Sequence, residues 1–97
     1  MAAYLIANLD IHDPALFQQY REQVTPVIEK FGGRYLVRGG EAVSKEGNLG
    51  LKRLVVLEFP DMNAAEAFYS SPEYQPVLDL RLRSANTSLV LVPGFDG

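Results

Sequence analysis

The sequence predicts an α+β fold, a βαββαβ sandwich whose helices lie on one face of a four-stranded antiparallel sheet. Three observations lead to it: apolar runs too short for helices, longer stretches with apolar residues at helical spacing, and cap or turn residues between them. Their order along the chain is strand, helix, strand, strand, helix pair, strand. With right-handed crossovers, this order gives the ferredoxin-like arrangement.

The first third of the chain contains one strand and one long helix. Residues 4–9 form a short apolar run of strand length. Asp13 and Pro14 are a helix N-cap followed by proline at the first helical position. Apolar residues then recur every three or four positions and predict about five helical turns: Leu16, Phe17, Tyr20, Val24, Val27, Ile28 and Phe31. Gly32-Gly33 supplies a glycine for the left-handed end of this helix.

A hairpin, a pair of helices and a last strand follow. Two extended runs flank the polar loop 44–50 and predict the hairpin. Asp61 can cap one helix, and Ser71-Pro72 repeats the cap-then-proline pattern before a second. The second helical stripe holds Tyr74, Val77, Leu78, Arg81 and Ala85. The strands are expected near residues 3–10, 34–43, 51–60 and 87–92.

The predicted strands are apolar on both faces. A sheet with one face in water alternates apolar and polar residues, whereas residues 54–57 and 89–92 are continuously apolar. The helices can cover only one of the two faces. The other face is expected to pack against the same face of a second copy, so we predict a homodimer.

Composition narrows the class of protein. With 97 residues, the chain is expected to form one domain over residues 1–97. A net charge of −3 argues against a partner bound by neutralising nucleic-acid phosphates. No apolar run approaches the ~18 residues of a membrane span, and the N-terminus has no basic region typical of a signal peptide. We therefore expect a soluble cytoplasmic protein with no nucleic-acid or membrane partner.

Cysteine and histidine usage limits the chemistry further. The chain has no cysteine and one histidine, His12. Thiolate metal sites and a multi-histidine site within one chain are therefore excluded, and we expect no metal site and no cofactor. His12 stands between a strand and a helix cap, where we expect it to face solvent.

Three blocks of sequence, in this order, resemble the DUF1330 family of domains of unknown function. They are Gly32-Gly33-Arg34-Tyr35-Leu36-Val37-Arg38-Gly39-Gly40, then residues 53–60, then residues 67–75. The resemblance covers nearly the whole chain. It implies the dimeric α/β-barrel superfamily, in which two ferredoxin-like sheets pack together with the helices outside. It implies no particular chemistry, because that superfamily includes cofactor-free monooxygenases, haem-binding enzymes and isomerases.

Glu58 is the candidate catalytic base. In the predicted topology the first and third strands are parallel neighbours, so Asn8 and Glu58, each near a strand end, could meet if they share a face. A carboxylate at the end of an apolar strand suits a general base, and Asn8 would orient the substrate. The alternative is a structural salt bridge between Glu58 and Arg34 or Arg38.

Two further groups are candidate ligand contacts. Arg38, which precedes two glycines, could bind a carboxylate or phosphate together with Arg81 and Arg83. Alternatively, Arg81 and Arg83 face solvent or pair with Asp79 and Glu73. Tyr20, Tyr69 and Tyr74 lie on helix stripes that face the sheet, either as core residues or as the lining of a pocket.

Two functions fit these residues. One is a cofactor-free enzyme that acts on a small anionic or aromatic compound in a cleft between the sheet and the helices. The other is a non-catalytic dimer that binds a small molecule or serves a structural role. An open cavity on which the candidate residues converge would favour the first, and mutually paired polar residues without a cavity would favour the second.

Overall fold

The computed structural model describes residues 1–95, which form one four-stranded sheet and three helices. The strands are β1 (Ala3–Ile11), β2 (Arg34–Gly40), β3 (Arg53–Phe59) and β4 (Ala85–Pro93). The helices are α1 (Pro14–Lys30), α2 (Met62–Ser70) and α3 (Tyr74–Ser84). The predicted order of elements is confirmed. Residues 96 and 97 of the predicted domain lie outside the described part.

The sheet is open and antiparallel throughout, with strand order β2-β3-β1-β4. The predicted parallel pairing of the first and third strands is wrong. The crossover through α1 brings β2 parallel to β1, and the hairpin then returns β3 between them in the opposite direction. The register pairs Asn8 with Leu54 and Glu58 with Tyr4. Asn8 and Glu58 are therefore four pairs apart, roughly 13 Å at ~3.3 Å per residue.

The hairpin is confirmed, but its first strand is shorter than predicted. β2 ends at Gly40 rather than at residue 43, and residues 41–52 connect it to β3. The pairing shifts register between Tyr35 and Val37 and again after Arg38. Such bulges twist a strand and interrupt its hydrogen-bond ladder, which explains the early end.

The predicted N-cap residues are confirmed for α1 and α2, but not for α3. Asp13 and Asp61 each accept a hydrogen bond from the backbone N–H three residues ahead, at 3.1 and 2.8 Å. α3 begins only at Tyr74, after Glu73, so the predicted start at Ser71-Pro72 is wrong; the Ser71 hydroxyl instead accepts a hydrogen bond from the backbone N–H of Tyr74 at 3.1 Å and holds the turn before the helix. The helix ends at Ser84, so Ala85, which was predicted on its stripe, begins β4 instead. At the end of α1, Gly32 has φ +80°, the left-handed conformation that favours glycine.

The hydrophobic core lies between the helices and one face of the sheet. Alternate residues of β1 point into it and are buried, as period-2 geometry requires. Phe68 lies at its centre, with its ring centroid 5.3 Å from that of Phe59 and 4.4 Å from that of Tyr74. A Cβ at Gly33 would lie 2.6 Å from the Phe59 ring. The end of α1 therefore packs closely only because residue 33 has no side chain.

The other sheet face points away from the helices, and we call it the open face. Its residues, which the register identifies, are Tyr4, Ile6, Asn8, Asp10, Arg34, Val37, Gly40, Leu54, Val56, Glu58, Asn86, Ser88, Val90 and Val92. One row across all four strands, Val90, Ile6, Val56 and Val37, is entirely aliphatic. The prediction of apolar residues on both sheet faces is thus confirmed. Within residues 1–95, no helix is both long and apolar enough to cross a membrane.

Candidate binding pocket

Glu58 lies on the open face and does not reach the space between sheet and helices. Its Oε1 accepts a hydrogen bond from Arg34 Nε at 2.8 Å, and its Oε2 accepts a longer one from the Tyr4 hydroxyl at 3.4 Å. The alternative salt bridge is therefore formed, with Arg34. Arg38 is not the partner, because it pairs with Val55 and lies on the helix side of the sheet. The structure does not bring the candidate base into the predicted cleft.

Asn8 also lies on the open face, where it holds the hairpin loop. Its Oδ1 accepts a hydrogen bond from the backbone N–H of Lys52 at 2.8 Å. Its Nδ2 donates to the backbone carbonyl of Gly50 at 3.3 Å. Both ends of the amide are therefore used locally, and the predicted meeting of Asn8 with Glu58 does not occur.

A pocket does exist on the helix side, between α1, α3 and the sheet. Its floor is apolar and comes from alternate residues of β1 and β3: Leu5, Ala7, Leu9, Val55 and Leu57. Its volume is about 60 Å³, enough for a few waters or a small polar group. Three tyrosines and four arginines complete the polar part of the lining: Tyr20, Tyr35, Tyr74, Arg21, Arg38, Arg53 and Arg81.

Two of the three predicted tyrosines form a hydrogen-bonded phenol pair in this pocket. The hydroxyl oxygens of Tyr20 on α1 and Tyr74 on α3 are 3.0 Å apart. The helical stripes on which they lie face each other, because α1 packs against α3. Tyr69 lies behind them on α2, with its ring 5.7 Å from that of Tyr74. It is not part of the lining.

Arg81 is the buried cation of the pocket. Its side chain extends from α3 and the residue is only 4% exposed, so the solvent-facing alternative is wrong for this residue. Its Nε has no hydrogen-bond partner among residues 1–95. Burial by itself lowers the pKa of Arg81, but the phenols of Tyr74 and Tyr20 outweigh burial and raise it. The guanidinium therefore stays charged at the inner end of the pocket.

The other arginines stand nearer to solvent. Arg38 and Arg53 are exposed, and the guanidinium of Arg38 lies 4.5 Å from the centre of the Tyr35 ring. Arg21, half-buried, lies 5.5 Å from the Phe17 ring. No Asp, Glu or His of the described chain lines this pocket. The pocket therefore presents positive charge without a resident counter-ion.

Three of the seven tyrosines and arginines in the lining were not identified from the sequence: Arg21, Tyr35 and Arg53. Arg53 could have been identified, because it precedes Val55 by two residues and Leu57 by four and therefore lies on the same strand face as both. Arg21 follows Phe17 by one helical turn, which gives a similar hint.

Two remaining residues considered in the sequence analysis, Arg83 and His12, lie at the surface, as their structural alternatives predicted. Arg83 forms an exposed ion pair with Asp79 at 3.5 Å, one helical turn apart. His12 is exposed between β1 and α1. Neither residue lines the pocket.

Replacement of Tyr20 by Phe is expected to make unfolding less sensitive to alkaline pH. Burial, followed by the neighbouring Tyr74, raises the pKa of Tyr20 well above its ordinary value. As the pH rises, the Tyr20 phenol therefore loses its proton in the unfolded chain before it does so in the folded protein. The stabilisation that the protonated phenol contributes is fully present below about pH 10 and falls as the pH rises further. The slope contributed by one such proton is at most about 1.4 kcal/mol per pH unit.

Urea unfolding at pH 9, 10 and 11 measures this slope. Only the slopes of the free energy of unfolding against pH are compared, because Tyr20→Phe also removes the hydrogen bond to Tyr74 and so lowers stability at every pH. The variant is expected to lose less stability between pH 10 and 11 than the wild type. Equal slopes would contradict the assignment.

Comparison with known proteins adds a family and a fold. The family model described as a domain of unknown function (DUF1330) matches residues 2–95. No curated protein matches the chain. Among solved structures, a protein of unknown function from Rhodopseudomonas palustris is similar, with a TM-score of 0.78 and 14% identity over 99% of this chain and 84% of that one.

Two other solved structures have the same fold. A dimeric ferredoxin-like protein of unknown function from Jannaschia sp. has a TM-score of 0.65 and 14% identity over 97% of this chain and all of that one. SnoaB of Streptomyces nogalater, a cofactor-independent oxygenase, has a TM-score of 0.64 and 11% identity over 99% of this chain and 95% of its own. At these identities the likeness shows the fold alone.

Proposed function

The chain belongs to the DUF1330 family of domains of unknown function, and we propose that it is a homodimer that binds a small organic anion between the sheet and helices of each protomer. The observation that carries this proposal is Arg81, a buried guanidinium whose Nε has no partner among the described residues. It stands in a pocket with three more arginines and no lining carboxylate.

The chemistry of the lining favours a carboxylate. A buried cation without a counter-ion is unfavourable, and a planar carboxylate matches the forked donors of a guanidinium. The Tyr20–Tyr74 pair can supply another donor. One hydroxyl donates to the other, which leaves the acceptor's own proton free for a ligand.

Benzoate and benzamide test this function, because they have nearly the same shape and differ in charge. Wild-type protein is expected to bind benzoate at least tenfold more tightly in calorimetric titration. Arg81→Met is expected to remove that preference, since methionine keeps an unbranched apolar chain about as far as the Nε position but lacks the guanidinium group and its charge.

Arg83→Met is the matched control. Arg83 lies on the same helix, but it is exposed and pairs with Asp79. It is therefore expected to leave benzoate binding unchanged. Equal affinity for benzoate and benzamide, or an Arg81→Met variant that binds benzoate like the wild type, would contradict the proposed function.

The homodimeric part of the proposal rests on the open face. Its aliphatic row crosses all four strands, and in an isolated protomer Val90 in this row is 57% exposed. The same face on a second copy covers it with a self-complementary surface, as two-fold symmetry allows. The Jannaschia protein of similar fold is dimeric, which supports this assembly. Two sheets packed in this way would form the dimeric α/β barrel.

Cofactor-independent catalysis in the same pocket is a second candidate function. Arg81 and the phenol pair could stabilise negative charge that develops on a ligand oxygen, and SnoaB shares the fold. Anion binding is better supported, because no lining Asp, Glu or His within residues 1–95 can accept a proton. Conversion of a bound acid, detected by mass spectrometry and lost in Tyr74→Phe, would favour catalysis.

A further inference from the structure

A second, wider cavity adjoins the pocket, and we call it the outer groove. It lies between the end of β1, the start of α1 and the hairpin loop, with a volume of about 500 Å³. Leu9, Phe17 and Arg53 line both cavities. The pocket and the groove therefore meet at these three side chains and can hold parts of one ligand.

The two cavities differ in size and in charge. The pocket is small, and four arginines line it without a carboxylate. The groove is about eight times larger and, like the pocket, has apolar side chains in its lining, Ile11 and Leu51 among them. Its charged residues are Lys52, Arg53 and Glu41, so a carboxylate offsets part of the positive charge there. Anion binding is favoured most strongly at the inner end.

From this gradient we infer that the ligand is an elongated organic acid whose carboxylate enters first and binds Arg81, while its apolar portion lies in the outer groove. The inference rests on the proposed function. A volume of about 60 Å³ accommodates a carboxylate with its nearest atoms, so a longer ligand must extend outward past Leu9 and Phe17.

The opposite orientation is disfavoured by the residues at each end. An apolar group at the inner end would leave the buried Nε of Arg81 without an acceptor and would bury the guanidinium further. A carboxylate in the groove would meet Glu41 as well as Lys52 and Arg53, so it would gain less there than in the pocket, whose four arginines have no carboxylate beside them. The inward orientation satisfies Arg81 and places apolar atoms against apolar side chains.

A series of straight-chain acids from acetate to octanoate tests this orientation. Each CH₂ that enters the groove is expected to increase affinity about fourfold, the effect of burying one methylene, until the groove is filled. Octanamide, which lacks the charge, is expected to bind at least tenfold more weakly than octanoate. Binding is measured by calorimetric titration of the intact protein.

Two variants distinguish the contribution of the carboxylate to binding from that of the apolar portion. Leu51→Ser, in the groove, is expected to reduce octanoate affinity at least fivefold and to leave acetate affinity unchanged. Leu49→Ser is the matched control, because Leu49 lies on the same loop but is exposed and lines neither cavity. Arg81→Met is expected to weaken every acid by the same factor.

The outcomes distinguish this inference from the function on which it rests. Octanoate affinity equal to that of acetate, or unaffected by Leu51→Ser, would overturn the elongated ligand and leave benzoate discrimination intact. Equal binding of octanoate and octanamide, or an Arg81→Met effect on acetate alone, would overturn the inward orientation. Loss of benzoate discrimination itself would overturn the proposed function.

Discussion

Val90→Asp is expected to abolish the proposed homodimer and with it most of the folding stability of the protein. Val90 belongs to the aliphatic row that continues through Ile6 and Val56 to Val37. In the proposed dimer this row is covered by its symmetry mate, so each new carboxylate would be buried without a partner. The penalty for such a charge is several kcal/mol per site.

Leu82→Asp is the matched control for this substitution. Leu82 is 60% exposed, close to the 57% of Val90 in an isolated protomer, but it lies on α3 rather than on the open face. On a free surface an apolar-to-charged change alters stability by about 0.5 kcal/mol or less. β-propensity alone separates the two substitutions by about 1 kcal/mol, so a loss of several kcal/mol that occurs only at Val90 requires an interface through the open face.

Sedimentation equilibrium and thermal unfolding check the prediction. The wild type is expected to sediment at twice the protomer mass of 10.8 kDa. Its Tm should rise with protein concentration, because dissociation and unfolding are coupled. An interface of this kind is expected to bury at least ~2,000 Å² in total. A folded wild type of 10.8 kDa, or a Val90→Asp variant with unchanged mass and Tm, would contradict the dimer.

Local sequence signals were sufficient for the order of elements. Asp13 and Asp61 accept the capping hydrogen bonds that their positions predict, and Gly32 has the left-handed conformation expected at the end of α1. These signals act within one or two helical turns. Strand direction is not a local property. It follows only from tracing the α1 crossover and the hairpin together, which explains the wrong parallel pairing.

The site was harder to predict because the rule that alternate residues of a strand share one face of the sheet did not help in two places. Arg34 and Arg38 are four residues apart and would share a face in a regular strand. The shift in register between them instead puts Arg34 beside Glu58 and Arg38 on the helix side. Moreover, where both strand faces are apolar, as around Glu58, alternation does not reveal which face the helices cover.

Arg81, in contrast, could be identified from helical periodicity. It follows Tyr74 by seven residues and Val77 by four, which places all three on one face of α3. All three are buried. Periodicity predicts the face, but the unpartnered Nε depends on what α1 and the sheet bring to it. That packing is tertiary, and no pattern in the sequence reports it.

Phe68→Ala is expected to lower the free energy of unfolding by about 3–5 kcal/mol, the range for removing a buried aromatic ring. The Phe68 ring contacts those of Phe31, Phe59 and Tyr74, with centroids 6.3, 5.3 and 4.4 Å away. Neighbours on three sides cannot all move inward, so much of the volume left by the ring remains empty. Urea unfolding at one fixed protein concentration measures the change.

Phe95→Ala makes the same chemical change at a residue that is 97% exposed. It is expected to alter the free energy of unfolding by no more than about 0.5 kcal/mol. Because Phe68 also lines the pocket and supports the Tyr74 ring, Phe68→Ala should weaken benzoate binding as well, whereas Phe95→Ala should not. If Phe68→Ala cost less than about 1 kcal/mol, the helices would have to close over the vacated space, and the aromatic core would not be the element that holds Tyr74 in the pocket.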